Sequence, residues 1–172
     1  MKKQADQQLK EGQFEAAIEG FTAHLLSHPE DVSAWRGRGI ARFQLKHWQE
    51  AISDFSKARD IDPEDLEAWI GLGMSLAMDL KIHPAIDVLE TLLERHPDCV
   101  RGHIQLGMLY YRLCVIAQGR KHMEQALASR PTLAERGMIE RILSEQKKLD
   151  NKRYHRPDFE ALRKKAQDEK RV

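Results

Sequence analysis

Eight histidines, two cysteines and one crowded acidic turn are the side chains here whose types could do chemistry. A zinc-protease helix needs two histidines four apart with a glutamate between them. His24 and His28 have the spacing but no glutamate, so they read as two imidazoles on one helix face, at a surface or a cap. His47, His83, His96, His103, His122 and His155 are scattered. Cys99 and Cys114 show no CxxC spacing, and Cys114 has no histidine placed to activate it. Asp60, Asp62, Glu64 and Asp65 imitate a calcium loop but lack its central glycine and its twelfth-position glutamate. GRGIAR and GLGMSL open like phosphate loops, yet lack the third glycine and the preceding strand. The expectation is a protein with no catalytic residues, no metal and no cofactor.

The elements that carry these residues repeat. Pro29, Pro63, Pro97 and Pro131 are each 34 residues apart. Other columns keep the same step: Ala5, Gly39, Gly73 and Gly107; Ala17, Ala51, Ala85 and Gly119; Phe21, Phe55, Leu89 and Met123. Trp35, Trp69 and His103 form another, and Phe14, Trp48, Ile82 and Ile116 one more. A period of this size signals a stack of supersecondary units. Small residues let helices approach, large apolar ones fill the space beside them, and apolar positions recur at helical spacing on each side of a turn. Gly12 marks that turn in the first unit, where positive φ is needed. Proline ends each unit by withholding an N–H. The acid after it (Glu30, Glu64 or Asp98) lies near the next helix start, where negative charge suits the dipole.

An aromatic, a small residue, an alanine, a second aromatic and a closing proline in these columns resemble the tetratricopeptide repeat over roughly residues 1–131. The resemblance implies an all-α, right-handed superhelical solenoid of helix–turn–helix units. The family serves many unrelated partners, so it fixes fold more than function. Its best-known charged groove clamps acidic chaperone tails with lysines and asparagines. Lys2 and Arg101 suit that role, but Asp6, Gly37 and Ile40 supply no amides, so this ligand is not expected.

The array is expected over residues 1–149, in units of about 1–31, 32–65, 66–99 and 100–133, with a capping helix at 134–149. The first unit starts late, with Gln4, Ala5, Gln8 and Leu9 on a polar inner face that suits an end cap. Pro84 falls within the first turn of the third unit's second helix, which is placed to start near His83. In the fourth unit Gly119, Cys114 and Arg120 depart from the pattern, and its second helix is expected to pack loosely. A charged tail at 150–172 holds a short helix after Pro157. Lys and Arg exceed Asp and Glu by four from residue 134 on and fall three short before it. The net charge of +1 argues against nucleic acid, no apolar run is long enough for a membrane span, and the cysteine usage suggests a reduced, cytoplasmic setting.

The first helix of each pair should line the inside of the stack. Its inner positions are Arg36, Ile40, Phe43 and Gln44, then Ile70, Met74 and Met78, then Ile104, Met108, Tyr111 and Arg112, with Arg101 beside them and Gly37 and Gly71 opening room at the floor. Methionine suits a surface that accepts varied apolar side chains, and an exposed apolar patch marks a binding site. The expected function is a non-catalytic adaptor or chaperone that takes an apolar peptide or helix of another protein. Arg36, Arg101 and Arg112 would fix its polarity. Two alternatives stand beside it. One is a scaffold or homodimer whose groove is filled by its own tail or by a second copy. The other rests on WIGLGMSLAM (Trp69–Met78), similar in flavour to chaperones of secretion-system translocators.

Overall fold

The structure, a computed structural model, describes residues 1–154, with side chains as far as residue 150. The chain divides into two compact units, residues 1–129 and 130–172. The first unit is a run of helices: α1 (Lys2–Lys10), α2 (Phe14–Ser27), α3 (Val32–Gln44), α4 (Trp48–Ile61), α5 (Leu66–Met78), α6 (Ile82–Arg95), α7 (Val100–Arg112) and α8 (Ile116–Ala128). They pair as α1/α2, α3/α4, α5/α6 and α7/α8, and each pair packs on the next. The odd-numbered helices also touch in succession, α1 on α3, α3 on α5 and α5 on α7. There is no strand among the described residues, and the architecture is an all-α solenoid.

Every hairpin turns in the same way. Gly12, Lys46, Leu80 and Cys114 all have positive φ, between 60° and 77°. The following N–H reaches back five residues to close the turn, as in Gln13 to Gln8 O, His47 to Arg42 O, Lys81 to Leu76 O and Val115 to Tyr110 O. This is the closure that satisfies carbonyls left open at a helix end. The turn predicted at Gly12 is therefore present in all four hairpins, although three of them place a side chain there.

The links between hairpins are fixed by the column of Trp35, Trp69 and His103. Trp35 Nε1 donates to Pro29 O at 2.7 Å and Trp69 Nε1 to Pro63 O at 2.9 Å. His103 Nε2 lies 2.8 Å from Pro97 O. The aromatic thus holds the carbonyl of the proline that ended the preceding unit. Two residues after each proline comes the helix cap. Asp31 accepts the Ala34 N–H at 3.1 Å, and Asp65 accepts those of Glu67 and Ala68 at 3.0 and 3.3 Å. The capping acids are Asp31 and Asp65, not the Glu30 and Glu64 that directly follow proline. Such a cap is worth about 1 kcal/mol. Cys99 holds the same place before α7 and makes no side-chain cap.

The core follows the small and large columns. A Cβ on Gly73 would meet Leu89 at 2.8 Å, one on Gly107 would meet Met123 at 2.9 Å, and one on Gly39 would touch the Phe55 ring at 3.2 Å. Two apolar clusters result. One gathers around Phe21, with Ala5, Ala17, Leu25, Ala34 and Ala41. The other runs from Ala51 and Phe55 to Leu106 and Leu109. Inside α3/α4 lies a charged seam. Asp54, fully buried, accepts Arg38 through Nε at 3.0 Å and Nη2 at 2.8 Å, and Arg42 through Nη1 at 2.7 Å. Arg38 also donates to Thr22 Oγ1 at 3.0 Å.

At Gly119 the fourth hairpin is close-packed where the sequence suggested looseness. Gly119 is buried, and a Cβ there would fall 2.5 Å from the Tyr111 ring and 3.0 Å from Gly107 O. Losing the alanine methyl makes room for a ring, so the departure from the pattern is a local exchange of volume. In the third hairpin, α6 begins at Ile82 and keeps Pro84 in its first turn.

In the second unit, α9 spans Leu133–Tyr154 and so continues five residues past 149. Thr132 and Glu135 cap it reciprocally: Thr132 N–H donates to Glu135 Oε2 at 2.9 Å, and Glu135 N–H to Thr132 Oγ1 at 3.3 Å. This is the capping-box arrangement. The helix expected after Pro157 lies outside the described residues. Among the described residues no helix is long and apolar enough to cross a membrane.

Candidate peptide-binding groove

The inner positions lie on α3, α5 and α7, which neighbour one another along the stack. Seven of the twelve predicted residues converge on one cavity of about 260 Å³: Arg36, Ile40, Phe43, Gln44, Ile70, Met74 and Arg101. Met78, Ile104, Met108, Tyr111 and Arg112 do not line it. Phe55, Glu67 and Gly71 complete its wall. Gly71 was expected at the floor, and the reason is steric: a Cβ there would sit 2.4 Å from the Phe55 ring. Phe55 reaches the cavity from α4 beneath that gap. Sequence reasoning missed Phe55 and Glu67 as lining residues. Each had a signal: Phe55 is the large partner of a glycine column, and Glu67 stands one period before the oppositely charged Arg101.

Exposure sorts the apolar positions. Ile40, Met78 and Met108 stand open at 37%, 46% and 42%. Phe43, Met74 and Tyr111 are half-buried. Ile70 and Ile104 are interior, at 2% and 1%, so Ile104 offers no surface and Ile70 forms part of the cavity floor. These two isoleucines share a column with Lys2 and Arg36, which pair with the capping residues Asp31 and Asp65.

The arginine positions are already engaged. Arg36 Nη1 is 2.6 Å from Asp65 Oδ2, Arg101 is ion-paired with Glu67, and Arg112 Nη1 donates to Ala77 O at 3.4 Å. Gln44 is exposed at the cavity edge. Two guanidinium groups and two carboxylates therefore nearly cancel around an apolar hollow. Asp65 and Glu67 offset the charge that a ligand carboxylate would meet at Arg36 and Arg101. Such a hollow can receive one or two large apolar side chains, with hydrogen-bonding groups at its rim.

The residues once weighed for chemistry have local tasks. His24 stacks on His28 with ring centroids 4.4 Å apart, and His24 Nε2 lies 2.9 Å from Asp31 Oδ2. Lys2 reaches the same carboxylate at 2.8 Å. Burial alone would raise the Asp31 carboxyl, but bonds from Lys2, Ser33, His24 and the Ala34 N–H outweigh it and hold it well below the usual carboxylate range. In the acidic turn, Asp60 pairs with Arg59, Asp62 accepts the Glu64 N–H at 3.0 Å, and Asp65 caps α5.

Family models of the tetratricopeptide repeat match residues 2–65 and 67–98. No curated protein matches the sequence. Solved structures resemble the fold at low identity. A crystal structure of MamA is 19% identical, with 98% of this chain and 97% of that chain covered and a TM-score of 0.70. TTC0263, a thermophilic repeat protein of Thermus thermophilus, is 19% identical over 87% and 82% of the two chains, with a TM-score of 0.73. The first repeat domain of Spaghetti (RPAP3) bound to the HSP90 peptide SRMEEVD is 23% identical over 66% and 90%, with a TM-score of 0.62.

Proposed function

The chain belongs to the tetratricopeptide repeat family, and from that premise we propose that it is a non-catalytic adaptor or chaperone whose inner groove takes an apolar segment of another protein. One observation carries the reading: an apolar hollow between α3 and α5 whose rim charges already have partners. Ile40, Phe43, Met74 and the cavity floor at Ile70 and Gly71 form the anchor. Met78 and Met108 extend the exposed apolar surface on α5 and α7.

The RPAP3 domain is bound to the acidic peptide SRMEEVD. In the present chain Asp65 and Glu67 offset the charge of the guanidinium groups that an acidic tail would seek. That favours ligands recognised by apolar side chains in the helix-in-groove or extended mode. A short segment should bind with micromolar strength, about −8 kcal/mol, because it loses its own freedom on docking.

The test pans a displayed peptide library against the intact chain and measures the selected peptides against Met74→Glu/Met108→Glu. Peptides with large apolar anchors should be selected, and the double variant should bind them at least about tenfold more weakly, with helix content unchanged by circular dichroism. Equal binding by the variant, or selection of acidic peptides without apolar anchors, overturns the proposal.

A further inference from the structure

The fourth hairpin replaces two residue types that its predecessors use, and the two replacements meet. His103 stands in the column of Trp35 and Trp69. His122 stands in the column of Asp54 and Val88. Their Nδ1 atoms are 3.2 Å apart, and their ring centroids 5.5 Å apart. His103 is buried, and its Nε2 lies 2.8 Å from Pro97 O.

The partners fix every proton. A carbonyl oxygen only accepts, so His103 Nε2 carries the hydrogen, and Nδ1 of the neutral ring is an acceptor. His122 Nδ1 must then be the donor across the 3.2 Å gap. One proton lies between the two rings, and there is no place for a second.

The surroundings restrain the pair. The Tyr110 ring stacks on His122 at 5.6 Å, nearly parallel. Its hydroxyl donates to Glu90 at 2.7 Å, and Glu90 raises the phenol to about 12. The facing groups are Glu90 and Glu94 from α6, Tyr110 from α7, and Lys121 with Gln125 from α8, around a cavity of about 320 Å³. Glu90 is the carboxylate that favours the charged form of His122, and Tyr110 already engages it.

We infer that His103 and His122 form an acid-sensitive latch that holds α7 and α8 to the Pro97 link. One added proton can sit on His122 Nε2 and leave the bond in place, but when both rings are charged N–H faces N–H and the bond becomes a repulsion, so the folded pair resists the second proton. The hairpins that use Trp35 or Trp69 at this column have no such response, because an indole N–H donates at every ordinary pH. Burial first, then the charges of His103 and Lys121, push His122 below its ordinary value of 6.5, with Glu90 partly opposing. A lowered folded value means that the unfolded chain takes the proton first. The stability is therefore complete above about 6.5 and drains away as pH falls toward the folded value. The latch does not depend on what the groove binds.

His103→Trp and His122→Val import residues that this chain already uses at the same columns. Thermal midpoints are measured at pH 7.5 and 5.5 for the intact chain and each variant. The unaltered chain should lose about 2–4 °C more than either variant on acidification. Parallel losses overturn the latch. Nitrogen-15 spectra of the unaltered chain at pH 7.5 should show the proton on Nε2 of His103 and on Nδ1 of His122. A His122 protonated on Nε2 alone overturns it as well. The spectra need no substitution, and His122→Val leaves the Pro97 bond intact, so the latch is decided even if His103→Trp does not fold.

Discussion

The second and third hairpins share a backbone plan and differ in what they bury. In α3/α4 the positions facing the interior are Arg38, Arg42 and Asp54, joined in a charged seam. One period later, in α5/α6, they are Leu72, Leu76 and Val88, all part of or packed against one apolar cluster. The joints between hairpins differ in step. Lys2 meets Asp31 and Arg36 meets Asp65, whereas the corresponding residues at the next joint are Ile70 and Cys99. The columns of small and large residues set the fold. The remaining inward columns need only be mutually satisfied, either as ions or as hydrocarbon.

The contrast is most exposed at Asp54. Asp54→Ala leaves Arg38 without its counter-ion in the interior and should cost about 3–5 kcal/mol in urea unfolding. Val88→Ala, at the same column, should cost about 1 kcal/mol. Equal losses would show that the seam is not worth more than packing. Next comes the wholesale exchange Arg38→Leu/Arg42→Leu/Asp54→Val, which writes the third hairpin's residues into the second. It should be neutral or gain about 1–4 kcal/mol, because desolvating the ions is costly. A marked loss, or unfolding in two separate steps, would mean that the seam fixes how the hairpins register. The smallest effect belongs to the joints. Asp31→Asn keeps a good cap but removes a carboxylate whose folded value is depressed. Its contribution is present above the unfolded value, near 3.8, and is lost as pH falls below it. Between pH 6 and pH 3 the variant should lose less midpoint than the unaltered chain, by on the order of 2 °C. Identical slopes would reduce the Lys2–Asp31 joint to decoration.

The hairpins, their turns and most core columns were legible because each repeats and each has a steric reason. Legibility failed where a residue's environment comes from the neighbouring hairpin. Helical periodicity places Ile70 and Ile104 on the inner face, but it does not say that both are covered there. Arg36 and Arg101 read as free cations until the carboxylates of Asp65 and Glu67 are seen beside them. The clue was present in the columns, as opposite charges about one period apart. Capping by Asp31 rather than Glu30 depends on the backbone leaving the proline, which composition alone does not reveal. Gly119 read as a defect because its compensation, the Tyr111 ring, lies eight residues upstream.

The four turns have one further implication. Lys46, Leu80 and Cys114 adopt a left-handed backbone that glycine takes freely at residue 12. For a residue with a side chain that conformation costs about 1–2 kcal/mol. Leu80 and Cys114 are exposed, so their side chains do little there to offset the cost. The bends are thus the array's cheapest reserve of untapped robustness: an engineer could toughen the molecule at three surface corners without touching its hollow.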